Sequence, residues 1–158
     1  MATIKFEDIA PDGDAAKIPD GYKGLTWLNF WAIDDDFYPN SGFDNVIESG
    51  SAAGTNADEN KPGIFRSDAR NNDFDLNSGF FAGGFNDDLE VTVAGYDNGD
   101  KVAQKLLTLD QDQEFVRFGR KFDDIDKVAI SSSGGTDADP NDDGSGPFFA
   151  VDDISISF

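Results

Sequence analysis

At 158 residues the chain is the size of one domain, and 32 acidic against 12 basic side chains give it a formal charge of −20 at pH 7. Such a surface repels phosphate backbones and anionic headgroups, so nucleic acid and membrane insertion are excluded as partners. The absence of His and Cys removes the usual general base, the commonest transition-metal ligand and any disulfide framework.

Fifteen Phe and two Trp supply much of the apolar volume, while Gly, Asn, Asp and Ser fill the gaps between short apolar runs. That composition predicts many short strands joined by turns. Ala2 to Ile9 opens with Ile4 and Phe6 on one face, followed by a Pro, Asp and Gly loop over 10–20. Leu25 to Trp31 carries large side chains on both parities, the pattern of a central strand, and Asp34-Asp35-Asp36 ends it. A short strand is expected within Ser41–Gly50, and a flexible polar loop over 51–62.

Further strands are predicted at Ile64–Arg66 and at Asp73–Phe81, the latter with Phe74, Leu76 and Phe80 in one parity set. Leu89–Tyr96 alternates cleanly with Leu89, Val91 and Val93 inside, and Asn98-Gly99 marks a hairpin returning over Lys101–Leu109. Gln113–Arg120 and Ile125–Ser132 follow, and the chain closes on Phe148–Phe158. Nine to ten strands without a convincing amphipathic helix favour an all-β fold, an antiparallel sandwich of jelly-roll type. Residues 1–158 are expected to form a single domain excised from a longer secreted protein, with the initiating Met added, and to be monomeric in isolation. No signal peptide is expected within this span, and no apolar run in it approaches membrane-spanning length.

The closing strand poses the first chemical question. Ile154, Ile156 and Phe158 alternate with Ser155 and Ser157, and Asp152 shares their parity. A carboxylate on that side points into the core and needs a partner, a proton or a metal. Cations are scarce, so Asp152 is read as a ligand for structural calcium; the alternative is a strand starting at Val151, with Asp152 solvated. A second candidate is the loop Thr136–Gly146, where Asp137, Asp139, Asn141 and Asp143 alternate as in the first half of a D-x-D-x-[DN] calcium loop. Asp142 stands where an EF-hand needs Gly and Phe148 where it needs Glu, so the alternative there is a solvated acidic turn. Hard oxygen donors select Ca2+ over zinc or copper.

Aromatic residues cluster early. Trp27 belongs to an alternating run and is expected in the core. Tyr22, Trp31, Phe37 and Tyr38 are the candidates for ligand contact, because exposed flat rings pack against the C–H face of a pyranose. Enzymatic readings find little support, since no Ser nucleophile has a His to activate it and no glycine loop leads into a phosphate-binding helix.

The phrases IKFEDI (4–9), IPDGYKGLTW (18–27), SGFDNVIESG (41–50), FDLNSGFFAGGFNDDLEVTVAGYDNG (74–99), IDKVAISSSGG (125–135) and FFAVDDISI (148–156) resemble bacterial extracellular β-sandwich domains. These are the domains found in PEP-CTERM-type exported proteins and large secreted adhesins, similar in plan to jelly-roll carbohydrate-binding modules. The resemblance implies an extracellular or cell-surface location and a carbohydrate or glycan partner. A peptide or protein partner, or a purely structural role, is the alternative. It also implies a structural calcium joining an acidic residue of the first strand to an aspartate of the last, which by position are Glu7 and Asp152.

Overall fold

The computed structural model describes residues 1–68, 72–141 and 144–158. One antiparallel sheet, here the outer-groove sheet, contains β1 (Ala2–Ile4), β2 (Ala15–Lys17), β4 (Phe30–Asp34), β5 (Ala52–Asn56), β7 (Asp75–Gly83), β11 (Glu114–Arg117) and β14 (Phe149–Ser157). The second sheet contains β3 (Leu25–Leu28), β6 (Gly63–Ser67), β9 (Leu89–Asp97), β10 (Asp100–Leu109) and β12 (Lys127–Ser133). A two-stranded pair, β8 (Asn86–Asp87) with β13 (Thr136–Asp137), lies apart from both. Spatial order is β11-β7-β14-β5-β4-β2 in the first sheet, with β1 also on β14, and β10-β9-β12-β6-β3 in the second. The sheets pack face to face as a β-sandwich, and no described helix is long and apolar enough to cross a membrane.

Trp27, Phe30, Phe65 and Phe149 form the ring-to-ring centre of the core, with Trp27–Phe30 and Trp27–Phe65 centroids both 5.2 Å apart and Phe30–Phe149 5.5 Å. Trp27 is buried as expected. So are Leu89, Val91 and Val93 of β9 and Val128 and Ile130 of β12. The hairpin at Asn98-Gly99 is present, both residues holding the positive φ (50° and 89°) that this tight turn requires.

Several expectations need correction. The run 25–31 is not one strand. Asn29 adopts φ 54° and divides it into β3 of one sheet and β4 of the other. Both parities are apolar because Leu25 and Trp27 face the core from one sheet, and Phe30 and Ala32 from the other. This break and the very short strands raise the number of strands to fourteen among the described residues.

The expected strand in 41–50 is a one-turn helix, α1 (Gly42–Asn45), capped by Ser41, whose Oγ accepts the Phe43 N–H at 3.2 Å. Phe43 and Val46, three residues apart, are the face it buries. The expected polar loop contains β5, buried throughout. Its residues are small because both its faces are tightly covered: a Cβ on Gly54 would stand 2.7 Å from the Phe6 ring. Phe80 lies on the outer side and Phe81 takes the core position. Phe158 is 56% exposed, its ring lying 6.0 Å from that of Phe74.

Candidate functional site

A second apolar cluster covers the outer face of the first sheet: Ile33, Phe43, Val46, Ala53, Ala82, Phe85 and Ala150. The segment that carries it is seated by close backbone approach. A Cβ on Gly42 would meet the Gly83 carbonyl oxygen at 1.7 Å, so α1 rests directly on the end of β7.

Beside this cover lies a groove of about 310 Å³, open to solvent, with Trp31, Ile33 and Thr55 from the sheet and Phe37, Tyr38, Phe85 and Phe148 among its walls. The rings brace one another: Phe37–Tyr38 centroids are 4.6 Å apart at 88°, Tyr38–Phe85 5.0 Å at 85°, and Phe85–Phe148 6.0 Å at 83°. Trp31 and Phe37 each leave 38% of their surface exposed. Among the described residues no charged side chain lines this groove; polar groups there come from Trp31, Tyr38, Thr55, Asn56 and Ser145. The structure thus brings Trp31, Phe37 and Tyr38 together, whereas Tyr22 stands elsewhere. Tyr22 packs 6.0 Å from Trp27 in the inter-sheet core, accepts the Phe6 N–H and donates to Asp8 Oδ1 at 2.6 Å. Burial and that carboxylate push its hydroxyl pKa upward.

The carboxylates Glu7 and Asp152 meet the same short segment, Glu48 to Gly50. Asp152 is fully buried, and its Oδ2 accepts the N–H groups of Glu48 (2.8 Å) and Ser49 (3.2 Å). Glu7 Oε1 lies 2.2 Å from where a Cβ on Gly50 would stand, and Gly50 holds the positive φ (73°) that favours glycine. One oxygen of each carboxylate, Glu7 Oε2 and Asp152 Oδ1, is buried without a hydrogen-bond partner. Burial pushes the Asp152 carboxyl up to about 7, against the opposing pull of the backbone N–H donors.

The parity reasoning for Asp152 needs correction even though its burial is observed. Phe149 and Val151 face the inter-sheet core, and so do Ile154 and Ile156. The alternation therefore slips between them, where Asp153 takes φ 44° and the β14–β7 register shifts. Asp152 consequently lies on the side of Ala150, beneath the 48–49 backbone. At this point β5, paired with Ala150 and Val151, gives way to β1, paired with Ile154 to Ile156, along the same edge of β14.

A buried carboxylate oxygen with no donor is costly unless neutralised. Among the described residues the one ion pair is Lys61–Asp58, at 3.8 Å, and no cation reaches Glu7 or Asp152. Carboxylate oxygens of this kind are the hard donor type that calcium takes, ~6–8 to an ion.

The 136–146 loop behaves differently. Asp137 Oδ1 accepts the Asp139 N–H (3.1 Å), and Asp139 Oδ1 accepts the Asn141 N–H (3.0 Å), so each carboxylate turns back onto its own backbone. Asp143 lies outside the described residues. Two acidic groups were not anticipated as clusters: Asp34, Asp35 and Asp36, and Asp73, Asp97 and Asp126, each with ligand oxygens within 4.8 Å of one another. The first is visible as a sequence triplet. The second joins three distant segments and has no sequence signal.

The chain matches no protein-family model and no curated protein. Among solved structures it is similar to TmCBM61, a carbohydrate-binding module solved in complex with beta-1,4-galactotriose. Identity is 10%, coverage 90% of this chain and 96% of that chain, and the TM-score 0.45. The β-sandwich class stands on the sheets themselves.

Proposed function

We propose that this chain is a calcium-stabilised, non-catalytic carbohydrate-binding domain of a secreted or surface-attached bacterial protein, such as an adhesin. The observation that carries this reading is the convergence of Trp31, Phe37 and Tyr38 on one ring-walled groove. Phe37 and Tyr38, held edge to face by each other and by Phe85, present fixed platforms, so little side-chain entropy is lost when a pyranose packs against them. Calcium held by Glu7 and Asp152 would act structurally: it would fix segment 48–50 and through it α1, which contributes Phe43 to the groove wall.

A glycan array probed in calcium and in chelator tests this reading, with Trp31→Ala as the comparison. Binding that weakens in chelator and falls in the variant is expected. Folded protein that binds nothing in either condition would refute it.

The free edge of β10, with Val102 and Leu106 exposed, offers an alternative, peptide capture by strand addition. Lys101, Lys105 and the register shift at Val102 are features that blunt an edge against such pairing, and the groove reading is preferred.

A further inference from the structure

Trp31 is a boundary rather than the end of the groove. On its other side lies a second cavity of about 540 Å³, bordered by Lys17, Asn29, Asp58 and Lys61, and both Trp31 and Ala57 line the two cavities together. Lys17 is the direct cross-strand neighbour of Trp31, as Thr55 is on the opposite side, so lysine, indole and threonine form one row across the sheet.

The two cavities differ in charge. Among the described residues, the first is lined by no ionisable group except the Tyr38 phenol. The second has two lysines and one aspartate; Asp58 is taken by Lys61 at 3.8 Å, which leaves Lys17 without a carboxylate partner among the described lining residues. Its described lining carries one net positive charge, on a chain of net charge −20. Its wall is prebuilt, because the Asn29 amide donates to the carbonyls of Asp58, Lys61 and Pro62 while its Oδ1 accepts the Asp58 N–H at 2.8 Å.

We propose that the two cavities are consecutive subsites of one oligosaccharide site, with Trp31 the platform shared between them and Lys17 selecting an acidic sugar in the second. This rests on the reading of the first groove as a carbohydrate site. The ligand is a mainly neutral chain with an occasional uronate. A densely charged polyanion is repelled by the whole surface, whereas one carboxylate beside Lys17 is attracted locally.

The test is an array of neutral gluco-, galacto- and manno-oligosaccharides of one to six units, each also present with a uronate cap, probed in calcium with wild type and Lys17→Met. Expected for the glycans that bind are a signal rising at least about tenfold from one unit to three, and a preference for the uronate-capped form of about two- to fivefold. That ratio is what a solvent-exposed ion pair supplies, and it should fall to about one in Lys17→Met and in high salt. Binding that is independent of chain length, or a uronate preference unchanged in Lys17→Met, overturns the two-subsite proposal and leaves the first groove standing. A wild-type protein that binds no glycan overturns both.

Discussion

Replacing Asp152 by Asn gives the sharpest test of the carboxylate centre, because the change keeps the shape and removes the charge. The Asn side-chain oxygen can still accept the N–H groups of Glu48 and Ser49, which bind Asp152 Oδ2 at 2.8 and 3.2 Å. Without divalent cations the wild-type folded state at neutral pH carries a carboxyl moved from 3.8 to about 7. That displacement disfavours folding by up to about 4 kcal/mol, as each pH unit corresponds to about 1.4 kcal/mol. In chelator at pH 7.5 the Asn variant should therefore be the more stable protein, by about 2–4 kcal/mol.

Calcium should reverse the order of benefit. At a hundredfold excess over Kd, a ligand bound only by the folded state adds about 2.7 kcal/mol. In a domain of this size that raises Tm by about 5–11 °C. Asp152→Asn should gain little or nothing. Thermal unfolding in a calcium titration, for both proteins and in chelator, measures all four corners. Equal calcium shifts in the two proteins, or a wild type more stable than the variant in chelator, would refute the assignment.

Three further outcomes are expected. In chelator, the Asp152 contribution to wild-type stability should be full below about pH 4 and be lost as pH rises to about 7, since the folded state holds the Asp152 proton that the unfolded chain has released; Asp152→Asn should lack this component, as denaturant titrations across pH will report. Trp31→Ala should weaken glycan binding by about 2 kcal/mol or more, roughly thirtyfold, with Tm nearly unchanged because the indole is 38% exposed; calorimetric titration separates the two. Gly42→Ala should cost about 1–3 kcal/mol or more, because its Cβ collides with the Gly83 backbone, and it should weaken both the calcium response and glycan binding.

How much of this was legible in the sequence differs by region. Clean alternation in β9, β12 and the Asn98-Gly99 hairpin reports sheets with one face on the core, and those elements stand as predicted. Segment 41–56 misleads because its outer-face cover imposes rules of its own: small residues at β5 signal close packing rather than flexibility, and Ser41 turns an apolar run into a capped helix. Asp152 shows the limit of parity. Its burial is readable from the apolar frame around it, but the slip at Asp153 that sets its side of the sheet is a tertiary feature. Trp31, Phe37 and Tyr38 were legible from their position around an acidic turn. The remaining walls, Phe85 and Phe148, come from far along the chain and resemble ordinary core residues.

The antiparallel pairing of β1 with β14, Ala2 opposite Ile156 and Ile4 opposite Ile154, has a mechanical consequence. Tension applied to the two ends would open that short ladder one rung at a time, as a zipper, instead of shearing all rungs at once. If calcium is held by Glu7 and Asp152 as proposed, resistance would then concentrate there, just beyond the ladder. Under that proposal the domain would yield readily in chelator and hold in calcium.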